Sequence, residues 1–228
     1  IEDLHTFFFT EQGVVKAVNG VSYNVPKNSV VGVVGESGCG KSVTSMSVMR
    51  LIQGPTGQIV QGSIRFKSYD YKRDEKGNPV LKSGTAGEYE MEEKVYDIAK
   101  VPIHEMYRLR GRQMAMVFQE PMTSLNPVFT IGNQLDEVTL LHVPGATKED
   151  AKARSIEMLS MVGIAAPERV YNSYPHELSG GMRQRVMISM AIACNPRLII
   201  ADEPTTALDV TIQAQILDLL KDLKDRLS

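Results

Sequence analysis

A glycine-rich loop between two patterned segments is the feature of this sequence that most constrains its fold. Residues 35–42 read Gly-Glu-Ser-Gly-Cys-Gly-Lys-Ser. A β-branched run, Ser29–Val34, comes before the loop and predicts a buried strand, and Lys41–Ile52 after it has helical spacing. Glycines let backbone N–H groups curl around phosphate oxygens, and a helix start adds its positive dipole end. The sequence therefore predicts a P-loop in an α/β core that binds a nucleoside triphosphate.

The side chains of this loop have distinct expected roles. Lys41 is expected to bridge the β- and γ-phosphates, and Ser42 to offer its hydroxyl to Mg²⁺. Cys39 is interpreted as a small loop residue rather than a redox site. A chance match on a glycine-rich turn is the alternative, and the flanking strand and helix patterns weaken it. The remaining expected nucleotide contacts are Gly35, Glu36, Ser37, Gly38, Cys39, Gly40 and Val43.

A pair of acidic residues near the end of the chain is expected to complete the phosphate site that the P-loop begins. The apolar run Leu198–Ala201 leads directly into Asp202 and Glu203. A P-loop enzyme needs an acid at the end of a neighbouring strand to hold the metal, and Asp202 fits that role. Glu203 is expected to polarise the attacking water as general base. Two exposed acids at a strand end are the weaker interpretation, because a P-loop lies upstream.

A second anion-binding cradle is indicated by Leu-Ser-Gly-Gly-Met at residues 178–182. A serine and two glycines at a helix start expose backbone N–H groups to an anion. One P-loop needs one cradle, so the second suggests that two domains pair head to tail, each closing the other's site. Taken alone, the motif is explained better by a glycine turn with Ser179 as the helix cap.

Composition and periodicity bound the architecture. The 228 residues carry a net charge of −2, with no basic excess that would indicate nucleic acid. Two cysteines do not make a disulfide framework, so a reducing cytosol is expected. No apolar run approaches the roughly 18 residues that indicate a membrane span.

The predicted segmentation has a core with two insertions. Residues 1–120 and 194–228 are predicted to form an N-terminal antiparallel β-region plus the P-loop core, and residues 121–193 an inserted helical subdomain. Residues 67–100 are interpreted as a solvated polar insertion rather than a docking element. Further strands are predicted over Ile59–Phe66, Met114–Phe118 and Arg197–Ala201, and helices over Pro102–Arg110, Ile131–Leu141, Lys148–Val162, Gly181–Ala193 and Val210–Leu227.

Taken together, these motifs resemble the ATPase subunit of ABC transporters over essentially the whole chain. Gln119 after a strand, the Ser179 motif, the acidic pair and Ala207–Asp209 follow one another in one order. The detailed sequence around these motifs is similar to the dipeptide/oligopeptide importer branch, and to the first of the two ATPase subunits that such importers often carry. The segments that carry this similarity are Gln119–Pro127, Tyr174–Leu178, Met182 and Ala201–Gln215.

The resemblance implies roles for the matching positions. Gln119 is implied to touch Mg²⁺ and to sense the γ-phosphate, and the segment after it to face a coupling helix of the membrane subunit. Ser179, Gly180 and Gly181 are implied to bind the γ-phosphate of the partner's ATP. Asp209 is implied to lie in the loop that joins the two active sites of the dimer.

An aromatic residue near the N-terminus is also implied to stack on adenine. Phe8 is the preferred candidate, with Phe7 or Phe9 as alternatives because the register is uncertain by one residue. The family has a histidine after a further strand beyond the acidic pair, and this sequence ends before that position. We therefore expect that a C-terminal part is missing and that this chain alone hydrolyses ATP poorly.

The function implied is that of an ATP- and Mg²⁺-dependent ATPase that powers peptide import from the cytoplasmic face of a membrane. The implied partners are a second ABC ATPase, identical or related, two transmembrane permease subunits and, indirectly, an extracytoplasmic solute-binding protein, but no nucleic acid. An importer for nickel or glutathione stays open as an alternative. A soluble ABC ATPase acting on nucleic acid or the ribosome is less favoured, as is a regulatory ATP-binding module without turnover.

Overall fold

The chain forms two compact units in the computed structural model. One comprises Ile1–Asn24 and Gly38–Met106, and the other Val25–Ser37 and Tyr107–Ser228, so that the boundary falls inside the glycine loop. No helix among the described residues combines the length and apolar character needed to cross a membrane. The structure describes all residues except 53, 77, 79, 84–88, 120–123, 144, 206–208 and 228.

The first unit is built on a three-stranded antiparallel sheet, in the order β2-β1-β3. This arrangement confirms the predicted N-terminal β-region. In β1, Phe9 lies opposite Val14 of β2, and Phe8 lies opposite both Val15 of β2 and Gly57 of β3. The strands are β1 (Glu2–Thr10), β2 (Gly13–Val21) and β3 (Gly57–Ser63).

Helix α1 (Lys41–Val48) packs on this sheet through small side chains. Thr6 on β1 and Ser47 on α1 are both fully buried, and their hydroxyl oxygens lie 2.8 Å apart. Each buried hydroxyl thereby has a hydrogen-bond partner, which avoids the cost of desolvating it unpaired. The helix that follows the glycine loop is thus fixed to the central strand of the sheet.

Helix α1 ends four residues before the predicted Ile52. Arg50 has a positive φ of 51°, which no continuing helix accommodates. Its guanidinium donates to three backbone carbonyls distant in sequence. Those carbonyls belong to Ile98 at 2.7 Å, Ala99 at 3.2 Å and Val101 at 3.1 Å. A tertiary contact therefore ends the helix, not the later Gly54-Pro55.

The predicted strand Ile59–Phe66 is wrong in one respect, because the chain divides it at Ile64. Ile64 is buried, its N–H donates to the Asp97 carboxylate at 3.2 Å, and its carbonyl accepts from Ile98 N at 2.7 Å. The chain then continues into an antiparallel hairpin that runs into the polar segment 67–100. The hairpin strands are β4 (Arg65–Tyr71) and β5 (Met91–Asp97).

The second unit combines a parallel strand pair with packed helices, as the predicted α/β core with a helical part requires. Its core consists of apolar side chains from the strand β6 and the helices, among them the fully buried Leu135, Ile188 and Ile216. The elements that follow β5 are α2 (Ile103–Leu109), β6 (Met114–Val117), α3 (Ile131–His142), α4 (Lys148–Met161), α5 (Pro167–Tyr171), α6 (Gly180–Ile192), β7 (Leu198–Ala201) and α7 (Val210–Leu227).

The prediction of a buried strand over Ser29–Val34 is wrong. This segment contains no strand, and Val30 and Val34 are 70% and 93% exposed. Among the described residues, β6 and β7 form a sheet of only two strands, and β7 is half-buried rather than buried. β-branched residues favour a strand only where a neighbouring strand completes its hydrogen bonds, and the described part of the chain places no such strand beside this segment.

Two leucines on α3 test the assignment of its buried face. Leu135 is fully buried and Leu141 is 71% exposed. We expect Leu135→Ala to lower the free energy of unfolding by about 2–5 kcal/mol, because it leaves a cavity. The control Leu141→Ala is expected to change it by less than about 0.5 kcal/mol. Urea unfolding followed by circular dichroism measures both, and equal effects would contradict the packing described.

Candidate nucleotide-binding site

The glycine loop enters α1 through two glycines with positive φ. The φ angles are +78° at Gly38 and +95° at Gly40, a region that residues with a Cβ rarely adopt. A Cβ on Gly40 would lie 2.3 Å from the carbonyl oxygen of Ala17, so that position also lacks space for a side chain. The turn into the helix therefore depends on glycine for both conformational and steric reasons.

Lys41 and Ser42 are the first two residues of α1 and are half-buried. No acidic residue lies in the first turn of this helix, so no carboxylate there offsets the positive end of its dipole. This arrangement suits an anion such as a phosphate. Before the helix, residues 35–39 are exposed, and Val43 within it is half-buried.

The parallel pair β6 and β7 brings three of the predicted site residues together. The strands end side by side, with Val117 opposite Ala201, and Asp202 N donates to Val117 O at 3.0 Å. The side chains that follow the two strands then meet, because Gln119 Nε2 donates to Glu203 Oε2 at 2.8 Å. Residues 84 positions apart thus share one edge of a sheet.

Asp202 and Glu203 differ in burial and backbone conformation. Asp202 is 8% exposed, whereas Glu203 is half-buried. Glu203 has φ 45°, a left-handed conformation that costs a residue with a Cβ roughly 1–2 kcal/mol. Such strain is found where surrounding contacts impose it, and functional sites are common among those places. The strained residue here is the one predicted to be the general base.

The donor atoms near this edge fit a magnesium–nucleotide complex. Mg²⁺ prefers oxygen ligands and is held in such sites through one or two protein groups together with phosphates and water. At this edge Asp202 supplies a carboxylate, and Gln119 supplies an amide oxygen, since its amide nitrogen donates to Glu203. The hydroxyl of Ser42 stays a predicted Mg²⁺ ligand. No cluster of three or more His, Cys, Asp or Glu occurs in the described ranges.

Ser179 caps helix α6 as its sequence predicts. Its hydroxyl accepts from Met182 N at 3.3 Å, and α6 has no acidic residue in its first turn. Ser179 and Gly180 are exposed. A Cβ on Gly181 would lie 3.2 Å from a methyl carbon of Ile212, so the helix start lies close against α7. An exposed helix start of this kind can take an anion from another molecule.

Asp209 lies at the start of α7, near the same isoleucine. Its carboxylate accepts from Ile212 N at 3.0 Å, and its carbonyl accepts from Gln213 N at 2.9 Å. Ile212 thus contacts both Asp209 and the start of α6. Two parts of the family motifs, residues 120–123 and 206–208, lie outside the described residues.

The three candidate aromatic residues on β1 differ in exposure. Phe8 is half-buried, and its ring lies against Gly57, where a Cβ would come within 2.9 Å of it. Phe7 packs edge-on to His5, with ring centroids 6.0 Å apart. Phe9 is 43% exposed. The adenine contact stays a prediction for Phe8, with Phe7 and Phe9 as alternatives.

One buried polar residue on α3, Gln134, is not predicted from the sequence. Gln134 is 8% exposed and makes hydrogen bonds with the backbone of residues 126–130. A signal for it was present, since Gln134 lies three residues after Ile131 and four before Val138, on the apolar face of the helix. A polar side chain at such a position needs partners, and here they belong to the preceding loop.

Comparison with known proteins identifies the wider group to which these features point. The family model described as "ABC transporter" matches residues 18–206. The oligopeptide transport ATP-binding protein AppD of Bacillus subtilis is 47% identical over 98% of this chain and 60% of its own length. The dipeptide transport ATP-binding protein DppD of the same organism is 43% identical over 98% of this chain and 58% of its own. The chain therefore spans about 60% of the length of these relatives.

A solved structure shares the fold. It is the dimeric ATP-binding cassette MJ0796 in a post-hydrolysis state bound to ADP and Pi, which is 25% identical. The alignment has a TM-score of 0.74 and covers 99% of this chain and 82% of that one. The predicted fold class, a P-loop core with an antiparallel β-region and a helical insertion, is confirmed by this likeness.

The backbone strain at Glu203 can be tested with two variants that both remove the carboxylate. Glu203→Gly and Glu203→Ala lose the bond to Gln119 equally, but only glycine adopts positive φ without strain. We expect the glycine variant to be more stable than the alanine variant by about 1 kcal/mol. Chemical denaturation measures the difference, and an alanine variant of equal or greater stability would contradict the left-handed conformation.

Proposed function

Because this chain belongs to the ABC transporter family of ATP-binding proteins, we propose that it binds and hydrolyses ATP to power the import of dipeptides or oligopeptides. The peptide substrate class is supported by relatives that are named as oligopeptide and dipeptide transport proteins. These names favour peptides over nickel or glutathione. They equally favour a transporter over an ATPase that acts on nucleic acid.

The observation that carries the ATPase proposal is the meeting of Gln119 and Glu203 beside buried Asp202. A carboxylate held 2.8 Å from an amide, at the end of paired parallel strands, is positioned to orient and deprotonate a water molecule. A carboxylate of purely structural use would not need the strained backbone found at Glu203. The arrangement favours hydrolysis over a binding module without turnover.

In this proposal each residue of the motifs has a separate role. Lys41 binds the β- and γ-phosphates, and the loop from Gly35 to Val43 wraps the phosphates. Ser42, Gln119 and Asp202 would hold Mg²⁺, and the bound ion would neutralise charge that develops on the phosphate oxygens. Glu203 takes the proton of the attacking water. These assignments rest on the motifs and on family membership.

We also propose that the protein works as a head-to-tail pair of ATPases. Ser179, Gly180 and Gly181 contact the γ-phosphate of the partner's ATP, and Asp209 lies near the junction of the two sites. The exposed start of α6, without an acidic residue in its first turn, supports the first assignment. The similar MJ0796 cassette is described as dimeric. The partner is a copy of this chain or a related second ATPase.

The remaining partners follow from the transport proposal. Two transmembrane permease subunits provide the path through the membrane, and a solute-binding protein outside the cell delivers the peptide. The ATPase acts at the cytoplasmic face. The segment after Gln119 exposes Val128 and Phe129, which are 70% and 50% exposed, and we assign it to contact with a permease subunit.

The pairing proposal is tested first with Glu203→Gln, which keeps the shape of the side chain but removes the base. In the full-length protein we expect ATP turnover to fall at least about a hundredfold, because general-base catalysis contributes that much. ATP is then trapped, and sedimentation velocity with ATP and Mg²⁺ should show a dimer that is absent without nucleotide. Normal turnover would overturn the role of Glu203. A monomer that binds ATP would exclude self-pairing.

The adenine contact is tested by comparing Phe8→Ala with Phe9→Ala. Loss of the stacking residue is expected to weaken ATP binding about tenfold, in line with roughly 1–3 kcal/mol per stacked base. Loss of the other phenylalanine should leave affinity nearly unchanged. Calorimetric titration with ATP measures both variants, with Phe7→Ala as a third. Equal affinity in all three would remove this strand from the adenine site.

A further inference from the structure

A single buried amide holds the loop that leads into α3. The Gln134 side chain accepts from Asn126 N at 2.9 Å through its oxygen. Through its nitrogen it donates to Asn126 O at 3.0 Å and to Phe129 O at 3.1 Å, with a longer contact to Thr130 O at 3.4 Å. Both the amide oxygen and the amide nitrogen of this side chain thus form hydrogen bonds with the backbone of residues 126–130, which we call the 126–130 loop.

The 126–130 loop is further fixed by short-range contacts and by one apolar anchor. Asn126 Oδ1 accepts from Val128 N at 3.2 Å, and Thr130 caps α3 by accepting from Asn133 N at 3.2 Å. Leu125, immediately before the loop, is 2% exposed and belongs to the apolar core. The backbone is therefore held from both sides while the side chains at its tip are exposed.

That tip presents Val128 and Phe129 as adjacent exposed apolar side chains. A flexible loop that places an apolar pair on a partner loses conformational entropy on binding, both in its side chains and in its backbone. A loop already held in one conformation avoids the backbone part of that cost. The hydrogen bonds of Gln134 are the contacts that fix the backbone at Phe129 from α3.

We propose that Gln134 is a positioning residue, which holds the 126–130 loop on α3 so that the loop and the helix move together when the ATPase engages its permease. The inference rests on the proposed transport function. The side-chain hydrogen bonds that Gln134 makes with described residues go to backbone atoms of residues 126–130 and not to the nucleotide motifs. Its role is therefore exerted through the loop. The occupant of the exposed tip is an apolar segment of the membrane subunit.

Support for this occupant comes from the location and chemistry of the tip. The loop comes after β6 and after Gln119, whose amide contacts Glu203, and it precedes the helix to which Gln134 belongs. Similar proteins are named as oligopeptide and dipeptide transport ATP-binding proteins, and transport through a membrane requires a membrane-spanning subunit. An exposed apolar pair on a rigid support suits contact with such a subunit.

The variants Gln134→Met and Thr139→Val make a matched pair. Both replace a buried polar side chain of α3 with an apolar one of similar size. Among the described residues the Thr139 hydroxyl is buried without a hydrogen-bond partner, so its loss removes no contact to the loop. Gln134→Glu is the conservative variant, because it keeps an acceptor for Asn126 N but cannot donate to the carbonyls.

Hydrogen exchange of the full-length protein tests positioning without any partner. We expect Gln134→Met to speed exchange in the 126–130 loop about tenfold, equivalent to about 1.4 kcal/mol, while the rest of α3 exchanges as before. Gln134→Glu should lie between Gln134→Met and the wild type, and Thr139→Val should match the wild type. Unchanged exchange in Gln134→Met would overturn the positioning role.

Titration with membrane subunits embedded in nanodiscs tests whether the positioning of the 126–130 loop affects stimulation of the ATPase by those subunits. For Gln134→Met we expect an unchanged basal ATPase rate, and an unchanged rate at saturation, but about tenfold more membrane subunit for half-maximal stimulation. Faster loop exchange with unaltered half-maximal stimulation would overturn the coupling role. If the wild type itself were not stimulated, the transport proposal would fail, whereas the exchange experiment would still decide the positioning role.

Discussion

The candidate site depends on the parallel pairing of β6 and β7. Four residue pairs, from Met114 opposite Leu198 to Val117 opposite Ala201, fix where each strand ends. Because one strand residue spans about 3.3 Å, a slip of one residue in this pairing would displace Gln119 from Glu203 by more than a hydrogen bond tolerates. Strand β6 is wholly buried, which specifies its register. The chemistry proposed for the edge is thus secured by a short ladder whose own side chains take no part in it.

A locally unfavourable backbone is maintained at that edge. Glu203 adopts positive φ and simultaneously accepts a hydrogen bond from Gln119. Since an isolated chain would avoid this conformation, the surrounding contacts must hold it, and the carboxylate is thereby placed before any substrate arrives. Stability is given up at one residue, and it is the residue for which we propose the role of general base.

The helical part of the second unit is held together by buried polar contacts as well as apolar packing. The two oxygens of Asp136 on α3 accept from Ser155 on α4 at 2.6 Å and from Tyr171 on α5 at 2.5 Å. Burial and this hydrogen bond raise the pKa of Tyr171 to about 12. Together with Gln134, Asp136 makes α3 the helix from which the preceding loop and two following helices are fixed. Such contacts are directional, which makes the group suited to move as one piece.

The sequence by itself determined the elements whose signals are local. Glycines at 38 and 40 have the positive φ that the loop motif requires, and α7 follows its apolar period with Ile216 buried. Only the tertiary structure decided that Arg50 ends α1 and that Ser29–Val34 pairs with no strand among the described residues. The meeting of distant side chains at the end of β6 and β7, and the partners of Gln134, were decided there too. Residue type and spacing set local preferences, whereas strand pairing and long-range hydrogen bonds depend on which segments meet in space.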